Sequence, residues 1–331
     1  MIQYGVAFGA VTILSLILVK LFARLAHRLD FTDKPTERKR HKVPMPLSGG
    51  WGIFAAFAIG FVVFVMFEVP VLPADAVIPE MLAMPAVLFG AALILGIGIV
   101  DDYYKTKGKE FPVWPRLLVY FIVVSLVFAA GIRFIGFQNP FTHTYVDLPI
   151  YLQFALTMLW FVGLMTAFNM MDGLDGLSGL LALVSGVTFF IVAMYMGQAD
   201  SAMLSVIFVA AVIGFLKYNL PPTKVFMGDS GAYVLGYLLA VISLYGTFKQ
   251  ATVFSLAIPV LAMGVPIFDA ILVVTRRLLA RKPAHVADST NITHFHYRLI
   301  KAGMKPGHAV TLIFCVSVIL SLASIILMLL F

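Results

Sequence analysis

The 331-residue sequence has few of the residues on which many functions depend. It has one cysteine, Cys315, which excludes an intramolecular disulfide and a cysteine-based metal centre. Only 12% of its residues are charged against 61% apolar, with a mean hydropathy of +1.01, which excludes an ordinary soluble domain. No stretch between apolar runs exceeds about 35 residues, so one integral membrane domain over 1–331 is expected. No internal repeat suggests an inverted-repeat transporter. Acidic residues are scarce as well, 16 in all, and five of them fall in three short clusters.

Apolar runs near the bilayer-crossing length of about 20 residues dominate. They lie at 4–24, 50–68, 81–100, 116–135, 151–168, 176–196, 202–218, 230–246, 253–275 and 308–331. The expected fold class is an all-α polytopic membrane protein of about ten transmembrane helices. Pro259 and Pro266 predict a broken ninth helix. The first run is expected to stay as a span, because Lys20 and Arg24 follow its apolar stretch rather than precede it. Lys and Arg set the orientation. Of 23 basic residues, 20 fall after spans one, three, seven and nine, which makes that side cytoplasmic and puts both termini outside. The net charge of +7 thus describes an inner face attracted to anionic membrane lipid, with no nucleic-acid partner.

Four polar clusters interrupt the apolar background, all on that basic side. Asp101-Asp102 ends span three; adjacent carboxylates there point apart, so one can hold Mg²⁺ while the other orients or deprotonates a substrate group. The plain alternative is a solvated pair at a helix end. Asn169 to Gly176 connects spans five and six with Asn169, Asp172 and Asp175 at i, i+3 and i+6, and two glycines that admit a close ligand. Ordinary turn chemistry is the alternative there. Met227 to Gly231 opens span eight, where Asp229 either binds a metal or, with Ser230, caps the helix. His294 and His296, with Arg298, suit phosphate or substrate contacts better than a transition metal, for want of a third ligand. Asp269, inside span nine, is expected to face the protein interior or water. Together the clusters point to a divalent-cation site facing a phosphate substrate, on the cytoplasmic face.

The residues that carry this chemistry resemble a known family. Asp33-Lys-Pro, Arg38 to Lys42, Pro46-Leu-Ser-Gly-Gly50, Asp101 to Lys105, Asn169 to Gly176, Val225 to Gly231 and His294 to Arg298 occur in its order. They are similar to the motifs of the polyprenyl-phosphate N-acetylhexosamine-1-phosphate transferases, glycosyltransferase family 4. The resemblance implies that undecaprenyl phosphate attacks the sugar-linked phosphorus of a UDP-N-acetylhexosamine and that UMP leaves. It implies Mg²⁺, with Mn²⁺ as an alternative, held by Asp229 and Asn169 with Asp102 near the ion. Asp101, Asp102 and Asp172 would be the catalytic acids, with Asp101 acting on the lipid phosphate. Asp175 would contact uridine, while Lys105 and His41 or Lys42 would hold phosphates. His294, His296 and Arg298 would face the sugar-nucleotide. A homodimer is a further expectation.

Thr166, Leu47, Ala232 and Tyr297 depart from the common family pattern, but every metal-binding carboxylate is retained. The Arg298-Leu-Ile-Lys-Ala-Gly303 context is closer to wall-polysaccharide initiators, which favours UDP-N-acetylglucosamine. Two alternatives remain: a phospho-N-acetylmuramoyl-pentapeptide transferase of peptidoglycan synthesis, and a polytopic transporter of a phosphorylated substrate, which would place polar groups near the bilayer midplane.

Overall fold

The computed structural model describes residues 1–35, 43–68, 78–138, 142, 144–246, 253–279 and 294–330. Its helices are α1 (Ile2–Arg28), α2 (Gly49–Glu68), α3 (Ile78–Thr106), α4 (Val113–Ala129), α5 (Ile150–Met171) and α6 (Leu177–Tyr195), then α7 (Ala199–Asn219), α8 (Gly228–Gly246), α9 (Val253–Ala262), α10 (Gly264–Leu279), α11 (Phe295–Lys301) and α12 (Pro306–Leu330). Seven helices among the described residues are long and apolar enough to cross a membrane: α1, α2, α3, α5, α6, α7 and α12. The chain is an all-α polytopic membrane protein.

Burial sorts the helices by their apolar pattern. α7 is apolar on every face, and sixteen of its 21 residues are buried, so it sits inside the bundle against α1, α2 and α6. α8 is enclosed by α2, α3 and α5. α1 and α12 leave Ile13, Ile17, Ile319 and Leu322 exposed, which is the hydrocarbon-facing surface of a peripheral span.

The ninth span is interrupted at Met263, between Ala262 and Gly264. Pro259 lies in the last turn of α9 and Pro266 in the first turn of α10, where its missing N–H leaves no bond unmade. The fourth helix ends at Ala129 rather than near residue 135. Gly131, at φ +88°, turns the chain out of the helix, where the sequence reading expected apolar character to carry it on. Two small antiparallel sheets were also unforeseen: β1 (Thr32–Asp33) with β2 (Met45–Pro46), and β3 (Gly136–Gln138) with β4 (Tyr145–Asp147). Strands of two or three residues are too short to show a period-two pattern. The up-and-down path brings the ends of α3, α5 and α7 and the starts of α2, α6 and α8 to one end of the bundle.

Candidate active site

The start of α8 organises the site. Asp102, at the end of α3, accepts hydrogen bonds from the backbone N–H groups of Asp229 (2.7 Å to Oδ1) and Ser230 (3.1 Å to Oδ2). It thereby caps α8 from another helix, where a self-cap by Asp229 or Ser230 was the sequence's alternative to metal binding. Gly228, at φ +75°, makes this approach feasible, since a Cβ there would lie 2.6 Å from Asp102 Oδ2. The Asp229 side chain is left to pair with Lys105 Nζ, one helical turn past Asp101.

Asp101 diverges from its neighbour, as adjacent helix positions require. Its Oδ2 accepts from Arg116 Nη1 at 2.9 Å and from the Tyr233 hydroxyl at 3.1 Å, and Arg116 also donates to that hydroxyl at 2.9 Å. Both aspartates are buried. Arg116 counted only as a topology signal in the sequence reading, and Tyr233 not at all; the pairing joins α3, α4 and α8, and no local motif announces it.

The turn between α5 and α6 is fixed to the same place. Asn219, buried at the end of α7, accepts the Gly176 N–H through Oδ1 and donates from Nδ2 to the Val225 carbonyl, both at 2.9 Å. Ser178 donates to Asp172 Oδ1 at 2.6 Å and lies 3.5 Å from Met227 Sδ. Burial pushes the Asp172 carboxyl up to about 7; the Ser178 hydrogen bond opposes this, and the charge of Asp229 adds to it. Asn169, in the last turn of α5, carries a buried Nδ2 with no partner among the described residues. Asp175 is exposed at the turn. The Pro46 to Gly50 segment is stitched to the run before α8 by Phe226 N–H to Pro46 O, Gly49 N–H to Phe226 O and Gly50 N–H to Met227 O.

The histidines arrive on α11. His294 precedes its first turn; its Nδ1 lies 3.0 Å from Asp269 Oδ2, while Asp269 Oδ1 accepts the Phe295 N–H at 2.7 Å. Asp269 thus faces the interior, as its charge demanded. His296 is buried, and neither ring nitrogen has a hydrogen-bond partner among the described residues. Burial, reinforced by His294, drives its pKa down to about 4 and keeps the ring neutral at pH 7. Its Nε2 lies where a Cβ on Gly173 would stand, so the Asn169–Gly176 turn and α11 touch through a position that only glycine fits. Arg298 is exposed on α11. His41 and Lys42 lie outside the described residues.

Asp101, Asp102, Lys105, Asn169, Asp172, Asp229 and His296 thus come to one end of the bundle. No group of three His, Cys, Asp or Glu side chains forms a ready-made metal cage among the described residues. Mg²⁺ seldom needs one, since one or two protein oxygens serve and water and substrate phosphate complete the shell. The hard oxygens of Asp229 fit that pattern; Asn169 would serve through Oδ1, while its Nδ2, unpartnered among the described residues, is a donor suited to a phosphate oxygen. Asp102 fits the expected ligand role less well, because both its oxygens already hold the α8 amides and so aim Asp229.

Comparison with known proteins identifies the family. Residues 84–247 match the family described as glycosyl transferase family 4. A probable undecaprenyl-phosphate N-acetylglucosaminyl 1-phosphate transferase of Bacillus subtilis is 34% identical over 99% of this chain and 86% of its own length. An undecaprenyl-phosphate alpha-N-acetylglucosaminyl 1-phosphate transferase of Thermotoga maritima is 28% identical over 87% and 80%. A phospho-N-acetylmuramoyl-pentapeptide-transferase of Listeria monocytogenes is 31% identical over 72% and 73%. With its polar clusters gathered at one end of a helical membrane bundle, the chain belongs to glycosyl transferase family 4 and is a polyprenyl-phosphate sugar-phosphate transferase by family.

Proposed function

We propose that the chain transfers N-acetylglucosamine 1-phosphate from UDP-N-acetylglucosamine to undecaprenyl phosphate, releasing UMP and initiating a cell-wall or surface polysaccharide of teichoic-acid or O-antigen type. The observation that carries this is the convergence of Asp229, Lys105 and Asp172 around the start of α8, in a chain 34% identical to a relative named for that reaction. A phosphate oxygen of the lipid attacks the sugar-linked phosphorus. The bond to the UMP oxygen breaks, and UMP departs with the electron pair. A phosphate monoester is largely ionised at pH 7, so the nucleophile needs alignment more than a base. Asp101, held by Arg116 and Tyr233, would orient the lipid phosphate.

Lys105 supplies a cation for the phosphates, and the neutral His296 ring supplies a donor and an acceptor for the sugar-nucleotide. Asp175, His294 and Arg298, with His41 or Lys42, complete the substrate contacts. Asp229 and Asn169 would hold Mg²⁺, or Mn²⁺ in its place, which supplies charge neutralisation at the pyrophosphate. The distribution of Lys and Arg supports a bacterial cell-membrane location with this end cytoplasmic and both termini outside.

The experiment follows UMP release from purified protein in membranes with undecaprenyl phosphate and Mg²⁺. UDP-N-acetylglucosamine is expected to support turnover. UMP from UDP-N-acetylmuramoyl-pentapeptide alone would replace the proposal with the second reading, which the Listeria relative favours. Silence with both in folded protein would refute both donors.

A further inference from the structure

We propose that Asp269 is a positioning residue for the transfer reaction, fixing His294 and the start of α11 against the broken ninth span. This rests on the transferase reading above.

Asp269 is a buried carboxylate in α10, the second half of the broken ninth apolar run, and a buried charge without partners is costly. Both of its oxygens are used, and both on α11. Oδ1 takes the Phe295 N–H, one of the amides that the first turn of a helix leaves unsatisfied. Oδ2 takes Nδ1 of His294. A carboxylate that accepts on both oxygens requires Nδ1 to carry the hydrogen, so Nε2 is the nitrogen available for substrate.

The arrangement continues inward. The His294 ring stacks on that of His296, with centroids 5.7 Å apart and planes 20° from parallel. His296 in turn abuts Gly173 in the turn that holds Asn169 and Asp172. A displacement of His294 therefore reaches the phosphate-facing turn through contacts, with no change to the acids themselves. None of the motifs read from the sequence includes Asp269, because the chain that joins it to His294 runs through 24 intervening residues.

Two arms test this. In the first, donor kcat/KM is measured for Asp269→Asn, His294→Ala and the double variant by UMP release. Asp269→Asn is expected to lose about 10–100-fold, as when the outer-shell partner of a ligating histidine is removed, and His294→Ala at least as much. The double variant is expected to be no worse than His294→Ala, since Asp269 acts through that ring. Losses that multiply would overturn the proposal, as would wild-type kinetics in Asp269→Asn.

The second arm needs no substrate. Carbethoxylation of His294 by diethyl pyrocarbonate, followed by mass spectrometry, should change several-fold in rate in Asp269→Asn, whose amide cannot accept from both Nδ1–H and the Phe295 N–H and so frees the ring or moves its hydrogen to Nε2. A wild-type labelling rate would overturn the proposal. If the wild type turned over no UDP-sugar, the donor reading would fall while this arm still decided the positioning claim. Should Asp269→Asn not accumulate in membranes, Asp269→Ser replaces it in both arms.

Discussion

Asn219 is the side chain whose loss should do most damage without touching substrate. It lies at the end of α7, 3% exposed, and joins two segments that bear the site. Its Oδ1 holds the Gly176 N–H of the α5–α6 turn, and its Nδ2 holds the Val225 carbonyl just before α8. Asn219→Ala would strand one donor and one acceptor, both on buried residues. An unsatisfied buried polar group costs about 1–3 kcal/mol, so the pair predicts a loss of about 2–6 kcal/mol. Asn219→Asp sharpens the test: one oxygen still accepts from Gly176, but the other faces the Val225 carbonyl, acceptor against acceptor. It should therefore fail to restore wild-type stability although its size is unchanged. The measurement is denaturant unfolding in micelles, with UMP release per folded molecule alongside. The turn carries Asn169 and Asp172, so turnover should fall together with stability. A loss below about 0.5 kcal/mol in Asn219→Ala, the range of ordinary surface changes, or wild-type stability in Asn219→Asp, would refute the reasoning.

Asp229→Asn should nearly abolish turnover while shifting stability by no more than about 1 kcal/mol, because its partner Lys105 is half exposed and such pairs stabilise little; wild-type rates would remove Asp229 from the site. Asp102→Asn should lose both turnover and about 1.5–3 kcal/mol of stability, since its amide can accept only one of the two α8 N–H bonds; unfolding at the wild-type midpoint would deny it the capping role. His296 predicts an acid-side instability. Its pKa in the folded protein is held near 4, below the ordinary 6.5, so as pH falls the unfolded chain binds the proton first. Stability from this ring is complete above 6.5, declines between 6.5 and 4 by up to about 3 kcal/mol, and changes no further below 4. Comparing unfolding free energies of wild type and His296→Asn from pH 7 to 4 checks it; identical slopes would show that the ring titrates normally.

Much of the site was legible before the fold was known. Asp101, Asp102, Asp172, Asp229 and Asn169 stood out because polar residues are rare in an apolar chain, and the bias of Lys and Arg placed all of them on one side of the membrane. Their individual duties were not legible. That Asp102 holds the first amides of α8 was not readable from the Asp-Asp pair. Nor was the engagement of Asp101 by Arg116 and Tyr233. Asn219, which ties the second cluster to the third, had no signal at all, because one asparagine at a helix end is ordinary in sequence.

The sequence by itself determined the class of solvent, the all-α polytopic architecture and the break in the ninth span, because each follows from hydropathy or proline chemistry along the chain. Only the tertiary structure decided which carboxylate caps α8 and which cation Asp101 and Asp229 each pair with. Those roles depend on hydrogen-bond directions between residues such as Asp102 and Asp229, 127 positions apart, and no local pattern encodes them. The same holds for the early end of α4 and for the grip of Asp269 on α11, where a single φ angle or one buried carboxylate overrides what the surrounding apolar residues suggest.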